Sequence, residues 1–194
     1  MKSLLEFRRQ LVHAAGILSI VPLLLWGKWI GAAASAAVLV FFVAWASWRH
    51  RRYGPATGLD VLAEGFVTGY ERTGERLKGA ILFYAGATAA ILIFVEPVAA
   101  AAIAVLAIAD AASTLVGYYF GSHKLPVNPA KSWEGSLTFW FIGFIVLLFF
   151  VSPLRAFLTA LMAMTVEALP KINDNVSIPI VVGALLTVLA YFNI

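Results

Sequence analysis

The sequence predicts an all-α, polytopic membrane protein of about seven transmembrane helices, with a cytoplasmic N-terminus and an outside C-terminus. Three observations carry this prediction. Hydrophobic residues make up 62% of the chain and charged residues 12%, with a mean hydropathy of +0.91, whereas a soluble domain carries about 25% charged residues. The apolar residues gather in runs close to the length of about 20 that spans a bilayer. The basic residues collect between alternate runs. So little polar side-chain surface cannot cover a soluble core, so lipid is the expected solvent and residues 1–194 read as one membrane domain.

In order, the runs cover residues 11–26, 29–48, 79–95, 97–120, 136–151, 153–169 and 176–192. The first holds Pro22 and ends at Gly27-Lys28, which predicts a kink or a tight turn into the second. Lys2, Arg8 and Arg9 precede it as they would in a signal peptide. No small-residue cleavage site follows, so the segment is expected to stay as the first span. The sixth run is the weakest, with Arg155 and Glu167 near its ends.

With seven spans, one face receives Lys2, Arg8, Arg9, Arg49, Arg51, Arg52, Arg72, Arg76, Lys78, Lys124, Lys131 and Lys171, and the other only Lys28 and Arg155. Twelve against two makes the first face cytoplasmic and favours an odd number of spans. The expected location is therefore the cell membrane, with the chemistry facing the cytoplasm. A net charge of +4 would suggest nucleic acid in a soluble protein, but here the positions of the charges matter more than the sum, and no nucleic-acid partner is expected. With no cysteine in the chain, disulfides, thiolate metal sites and cysteine nucleophiles are excluded. In the long loop 49–78, Leu59, Leu62, Ala63 and Phe66 recur at helical spacing ahead of Glu71, Arg72, Glu75, Arg76 and Lys78. This pattern predicts an amphipathic interfacial helix, which either covers a site or simply carries i,i+4 ion pairs.

Asp110 is the most informative residue, because it lies inside the fourth apolar run. An acid at mid-membrane costs about 2.5–3.5 kcal/mol on insertion scales, which marks it as functional or paired. Ser113, Thr114, Gly117 and Gly121 follow on nearly the same helical line. Such a stripe is either a polar path to the cytoplasmic end or a close helix–helix seam. In the next loop, Asn128-Pro129 has the form of an N-cap with proline at the first helical position, which would put Lys131 in a first turn. A lysine there opposes the helix dipole, so a bound anion is expected to offset it. Ser132, Gly135 and Ser136 are small enough to let a phosphate reach the backbone, and Glu134 could serve a metal or the lysine. The competing reading is an ordinary interfacial loop.

Arg9 and His13 stand four residues apart at the mouth of the first run, where His13 is either a ligand group or a buried histidine paired with a carboxylate. Glu167 ends the sixth run, and Asn173-Asp174-Asn175 opens the seventh. The cytoplasmic boundary is thus expected to gather Asp110, Glu134, Glu167 and Asp174 with Arg9, His13 and Lys131. Carboxylates and amides at this density suit Mg²⁺ bound together with substrate phosphates. Residues alone therefore point to a membrane enzyme that handles phosphate or nucleotide.

The stretch Ala109-Asp110-Ala111-Ala112-Ser113 … Gly117 … Phe120-Gly121, followed by Lys131-Ser132-Trp133-Glu134-Gly135-Ser136, resembles the dolichol kinase, phytol kinase and CTP-dependent diacylglycerol kinase family. Arg9 with His13, Glu75-Arg76-Leu77-Lys78-Gly79, and Glu167 … Asp174-Asn175 … Ile178-Pro179 extend the likeness over most of the chain. Ala109 stands where the family pattern usually has glycine. The chain lacks the C-terminal signature of the related phosphatidate cytidylyltransferases, which favours kinase over cytidylyl transfer.

The resemblance implies transfer of the γ-phosphate of CTP to the hydroxyl of a membrane lipid alcohol, of polyprenol or dolichol type, with Mg²⁺. Asp110 and Lys131 are then the expected catalytic pair, with Asp110 holding metal or orienting the hydroxyl. Arg9, His13, Ser113, Gly117, Ser132, Gly135 and Asn175 are expected around the nucleotide and its phosphates, and Asp110, Glu134, Glu167 and Asp174 around the metal. The rival readings are a cytidylyltransferase making a CDP-activated lipid and a small ion or solute transporter.

Overall fold

A computed structural model of the chain describes residues 2–53, 78–170 and 173–194. The interfacial helix expected within 49–78, with Glu75 and Arg76, lies largely outside the described residues. Each of the seven apolar runs forms a helical rod. The first rod is α1 (Lys2–Ala15), a 3₁₀ turn (Gly16–Ser19) and α2 (Ile20–Trp26). Pro22 has no N–H to give the carbonyl of Leu18, and the regular helix breaks one turn ahead of it. Gly27 then takes φ +85, a conformation that suits glycine, and α3 (Lys28–Tyr53) begins at once. At this end Glu96 accepts from the Lys28 backbone N–H at 2.8 Å, so an acid from a later helix caps α3.

The remaining rods are α4 (Lys78–Ile93), a long rod from Glu96 to Phe120, α7 (Trp133–Leu147), α8 (Pro153–Ala168) and α9 (Asp174–Tyr191). The long rod consists of α5 (Glu96–Ala104), a π-helical segment (Val105–Ala109) and α6 (Asp110–Phe120). It is the centre of the molecule. Ala99 through Ala107 are buried, and small side chains allow α2, α4, α7 and α9 to pack closely around it.

Among the described residues, four helical stretches are long and apolar enough to cross a membrane: Glu6–Trp26, Lys28–Trp48, Glu96–Phe120 and Asp174–Tyr191. Lys78–Ile93 and Trp133–Leu147 are shorter apolar helices. The 16 residues of α8 would reach about 24 Å, short of a hydrocarbon core of about 30 Å.

The all-α expectation meets one local exception. Lys124–Leu125 (β1) and Asn128–Ser132 (β2) form a small antiparallel hairpin. Asn128-Pro129 is therefore not a helix N-cap. Asn128 Oδ1 instead accepts from the Ala130 N–H at 3.3 Å, and Lys131 lies on a strand. The cap of α7 is Ser132, whose Oγ accepts from the Gly135 N–H at 3.2 Å. Pairing with β1 holds the backbone extended until Ser132, which delays the helix to Trp133.

Candidate active site

Two cavities meet at the charged end of the bundle. The larger, about 660 Å³, is lined by Glu6, Arg9, Lys78, Ser113, Thr114, Gly117, Lys124, Lys131, Ser132, Gly135, Ser136 and Glu167, among others. The smaller, about 380 Å³, is lined by Arg9, His13, Asp110, Thr114, Lys131, Asp174 and Asn175 and also by Ala80 and the mutually contacting rings of Phe42, Phe83 and Tyr84. Arg9, Gly79, Thr114, Lys131 and Asn173 line both.

The π-helical segment prepares the deepest corner. Its wider turn departs from the i−4 ladder just before Asp110, and the Leu106 carbonyl lies 3.1 Å from His13 Nε2. The same nitrogen is 3.3 Å from Asp110 Oδ2. His13 is thereby held between a backbone carbonyl and a carboxylate, and it stands edge-on to Phe83 at 5.1 Å. Of the two sequence readings of His13, a ligand group or a buried histidine paired with a carboxylate, this contact supplies the pairing.

Lys131 reaches from β2 to two acids at once, with Nζ 2.6 Å from Glu167 Oε1 and 2.6 Å from Asp174 Oδ2. Ser136 donates to the other Glu167 oxygen at 3.0 Å. Burial alone would lower the Lys131 ammonium, but the facing charges of Asp174 and Glu167 raise it above its usual range. Asp110, Glu167 and Asp174 each offer an oxygen within 4.8 Å of the others, so these three could hold a metal ion. The donor set fits a hard divalent cation, being all carboxylate oxygen. Beside it, Asp174 Oδ1 and Asn175 Oδ1 are buried with no hydrogen-bond partner among the described residues.

Glu134 does not join this group. Its carboxylate accepts from the backbone N–H of Ser122 at 3.2 Å and of His123 at 3.1 Å, and it lies 2.6 Å from His123 Nδ1. Its work is to tie the start of the hairpin loop to α7. The His123 contact first, then the backbone donors, push its carboxyl down to about 2.

Arg9 pairs with Glu6 at 2.5 Å, and Gln10 donates to the same Glu6 oxygen at 2.9 Å. Glu6, Lys78 and Lys124 were not among the expected site residues. Glu6 was detectable through its i,i+3 and i,i+4 spacing to Arg9 and Gln10. The stripe residues serve two ends at once. Ser113 donates to the Asp110 carbonyl at 2.9 Å, and a Cβ on Gly135 would lie 3.0 Å from the Ser113 carbonyl oxygen and 3.3 Å from Gly117 Cα. Ser113, Gly117, Ser132 and Gly135 thus form the close α6–α7 seam and also a wall of the larger cavity. Asn175 lines the smaller cavity, while Asn173 caps α9 by accepting from the Asn175 N–H at 3.2 Å.

The chain is 33% identical over 135 residues to phytol kinase 1, chloroplastic, of Arabidopsis thaliana, covering 59% of this chain and 44% of that one. This chain is similar to phytol kinases. A probable phytol kinase 1, chloroplastic, of Oryza sativa subsp. japonica is 29% identical over 148 residues, 66% of this chain and 47% of the relative. A probable phytol kinase, chloroplastic, of Zea mays is 28% identical over 193 residues, 89% and 63% respectively. The chain thus spans about half the length of the first two phytol kinases. No family model matches the chain. No solved structure matches it.

Proposed function

We propose that this chain is a Mg²⁺-dependent kinase that moves the γ-phosphate of CTP onto the hydroxyl of a membrane lipid alcohol. One observation carries the reading: Lys131 and three clustered carboxylates sit where a cation-lined cavity meets one partly lined by aromatic rings. Phosphoryl transfer asks for this kind of positioning and charge neutralisation, with little covalent work by the protein. The phytol kinase relatives support a lipid-alcohol acceptor, and their names make phytol a first acceptor to try ahead of polyprenol or dolichol.

In this reading the nucleotide lies in the larger cavity, with its phosphates toward Lys131, Ser132 and the bare backbone of Gly117 and Gly135. Arg9, Lys78 and Lys124 add positive charge around it. Asp110, Glu167 and Asp174 would hold Mg²⁺, which neutralises charge on the phosphates when bound. The alcohol oxygen attacks the γ-phosphorus and the new O–P bond forms as the bond to the β,γ-bridging oxygen breaks. CDP leaves with that electron pair, and Asp110, oriented by His13, takes the hydroxyl proton. The seven helical rods are read as seven spans, with this end of the bundle at the cytoplasmic face of the cell membrane.

The test uses membranes containing the full chain, Mg²⁺, a mixture of lipid alcohols and CTP labelled on the γ-phosphate. Asp110→Asn membranes serve as the blank. Label in a lipid monophosphate, lost in the blank, is the expected result. Label entering lipid only from the α-phosphate would replace the kinase with a cytidylyltransferase, and no transfer from either position would sink the proposal.

A further inference from the structure

Lys131 stands on two of the three acids that the candidate metal site would use. We propose that its ammonium and a divalent cation are alternative occupants of these acids. Lys131 gives up Glu167 and Asp174 when the cation binds, and the freed lysine becomes the phosphate ligand of the larger cavity. This rests on the kinase reading for the metal and the nucleotide. It adds that the site grips a metal-loaded nucleotide and holds a free one poorly.

The contacts of Nζ make the two roles of the lysine compete. It donates to Glu167 Oε1 and to Asp174 Oδ2, each at 2.6 Å. An ammonium has three donors, so two of them are committed to the acids and turned away from any phosphate. A cation shared by Glu167, Asp174 and Asp110 would place its charge beside that ammonium. The Lys131 side chain is 23% exposed and that of Glu167 only 5%, so solvent screens the repulsion weakly. The charge balance points the same way. With His13 neutral, three carboxylates against one ammonium leave two negative charges over, the charge of one divalent ion.

The position of Lys131 lets it change partners. Glu167 belongs to the lining of the larger cavity, Asp110 and Asp174 to that of the smaller, and Lys131 to both. Its ammonium sits on a flexible four-carbon stem, so turning toward Gly117, Ser132 and Gly135 asks for side-chain rotation alone. The backbone on either side stays tied, because Ser132 pairs with Lys124 across the hairpin and caps α7. The exchange also has a chemical use. Phosphates meet the lysine only when the cation that neutralises the leaving group is already in place. The competing picture is a fixed ion pair, in which Lys131 keeps both acids whether or not a cation binds.

The experiment follows the lysine itself and needs no turnover. The full chain in lipid nanodiscs is titrated with Mn²⁺ by electron paramagnetic resonance to establish cation binding. It is then treated briefly with an acetylating ester in EDTA or in Mg²⁺, and acetylation of Lys131 is measured by mass spectrometry against Lys124 of the same hairpin. Mg²⁺ should raise the Lys131 to Lys124 ratio severalfold. CTP should lower it again in Mg²⁺ and leave it unchanged in EDTA. Two variants separate release of the lysine from loss of charge. Glu167→Gln and Asp110→Asn each remove one negative charge, but of the two acids only Glu167 pairs with Lys131 among the described residues. Binding of labelled CTP in EDTA should tighten severalfold in Glu167→Gln and stay near wild type in Asp110→Asn. Cation binding with an unchanged ratio, no Mn²⁺ binding, or equal gains in the two variants would each overturn the exchange. Release of Lys131 by Mg²⁺ in a protein that binds no CTP would leave the exchange standing and sink the kinase reading.

Discussion

His13 Nε2 lies 3.3 Å from Asp110 Oδ2 and 3.1 Å from the Leu106 carbonyl, so the histidine fixes the mid-bundle acid against the π-helical turn that precedes it. The two residues come from the first and fourth rods, yet both line the smaller cavity.

This contact predicts unequal effects for its two members. Asp110→Asn keeps the shape and removes the charge, so it should reduce phosphate transfer by about a hundredfold or more, the scale of a lost acid–base group. His13→Ala leaves the carboxylate in place but frees it to turn, and should cost about 10–100-fold, as loss of an orienting partner does. Initial rates of label transfer check both. Equal, small losses would remove Asp110 from the chemistry.

Lys131 is the only described cation within reach of both Glu167 and Asp174 in the contacts above, at 2.6 Å from each. Lys131→Met should abolish transfer and destabilise the bundle by about 1–3 kcal/mol, because it strands partly buried carboxylates. Adding Glu167→Gln should recover part of the stability and none of the activity. Thermal melts in detergent separate the two effects. The sign with pH follows from the raised lysine: its stabilisation is fully present below the ordinary value of 10.5 and fades only as pH rises through the higher folded value. The melting temperature should therefore not fall through loss of this pair between neutral pH and about pH 9.

The helices were legible because long apolar runs alternate with charged segments along the chain. Asp110 stood out because an acid inside such a run has no cheap explanation. Four features were not legible. The partners of Lys131 lie 36 and 43 residues away, a distance only the tertiary fold closes. Asn128-Pro129 has the local form of a cap, but strand pairing with Lys124–Leu125 overrode it, and the working cap is Ser132. Glu134 is three residues from Lys131, yet the strand-to-helix change aims it at His123. Phe42, Phe83 and Tyr84 looked like any lipid-facing aromatics, since nothing in a run of apolar residues marks which of them line a cavity.

The glycines of the α6–α7 seam separate packing from phosphate binding. A Cβ on Gly117 would meet Ser132 Oγ at 3.4 Å and Gly135 Cα at 3.7 Å, ordinary contacts that need little movement. Gly117→Ala should therefore leave stability within about 0.5 kcal/mol while raising the nucleotide KM several-fold, because it intrudes on the cavity wall. Gly121→Ala is different, since its Cβ would strike the Gly117 carbonyl and Ser132 Oγ. That change should cost about 1–3 kcal/mol as overpacking does. A Gly117→Ala protein with unchanged KM would mark position 117 as packing alone.

Glu134 offers the test of whether the hairpin positions Lys131. Its carboxylate is held down to about 2 by His123 and by the backbone donors of Ser122 and His123. A depressed acid contributes its stabilisation above the unfolded value near 4.5 and loses it as pH falls through about 2, so the latch should remain closed in mildly acidic buffer. Glu134→Gln removes the charge from these donors. Hydrogen exchange at the Ser122 and His123 amides should then accelerate severalfold, and the nucleotide KM should rise with kcat nearly kept, since β2 carries Lys131 but Glu134 itself touches no reacting atom. If the amides exchange at the wild-type rate, the latch does not hold the hairpin. If they exchange faster and KM does not move, the hairpin does not set the position of Lys131.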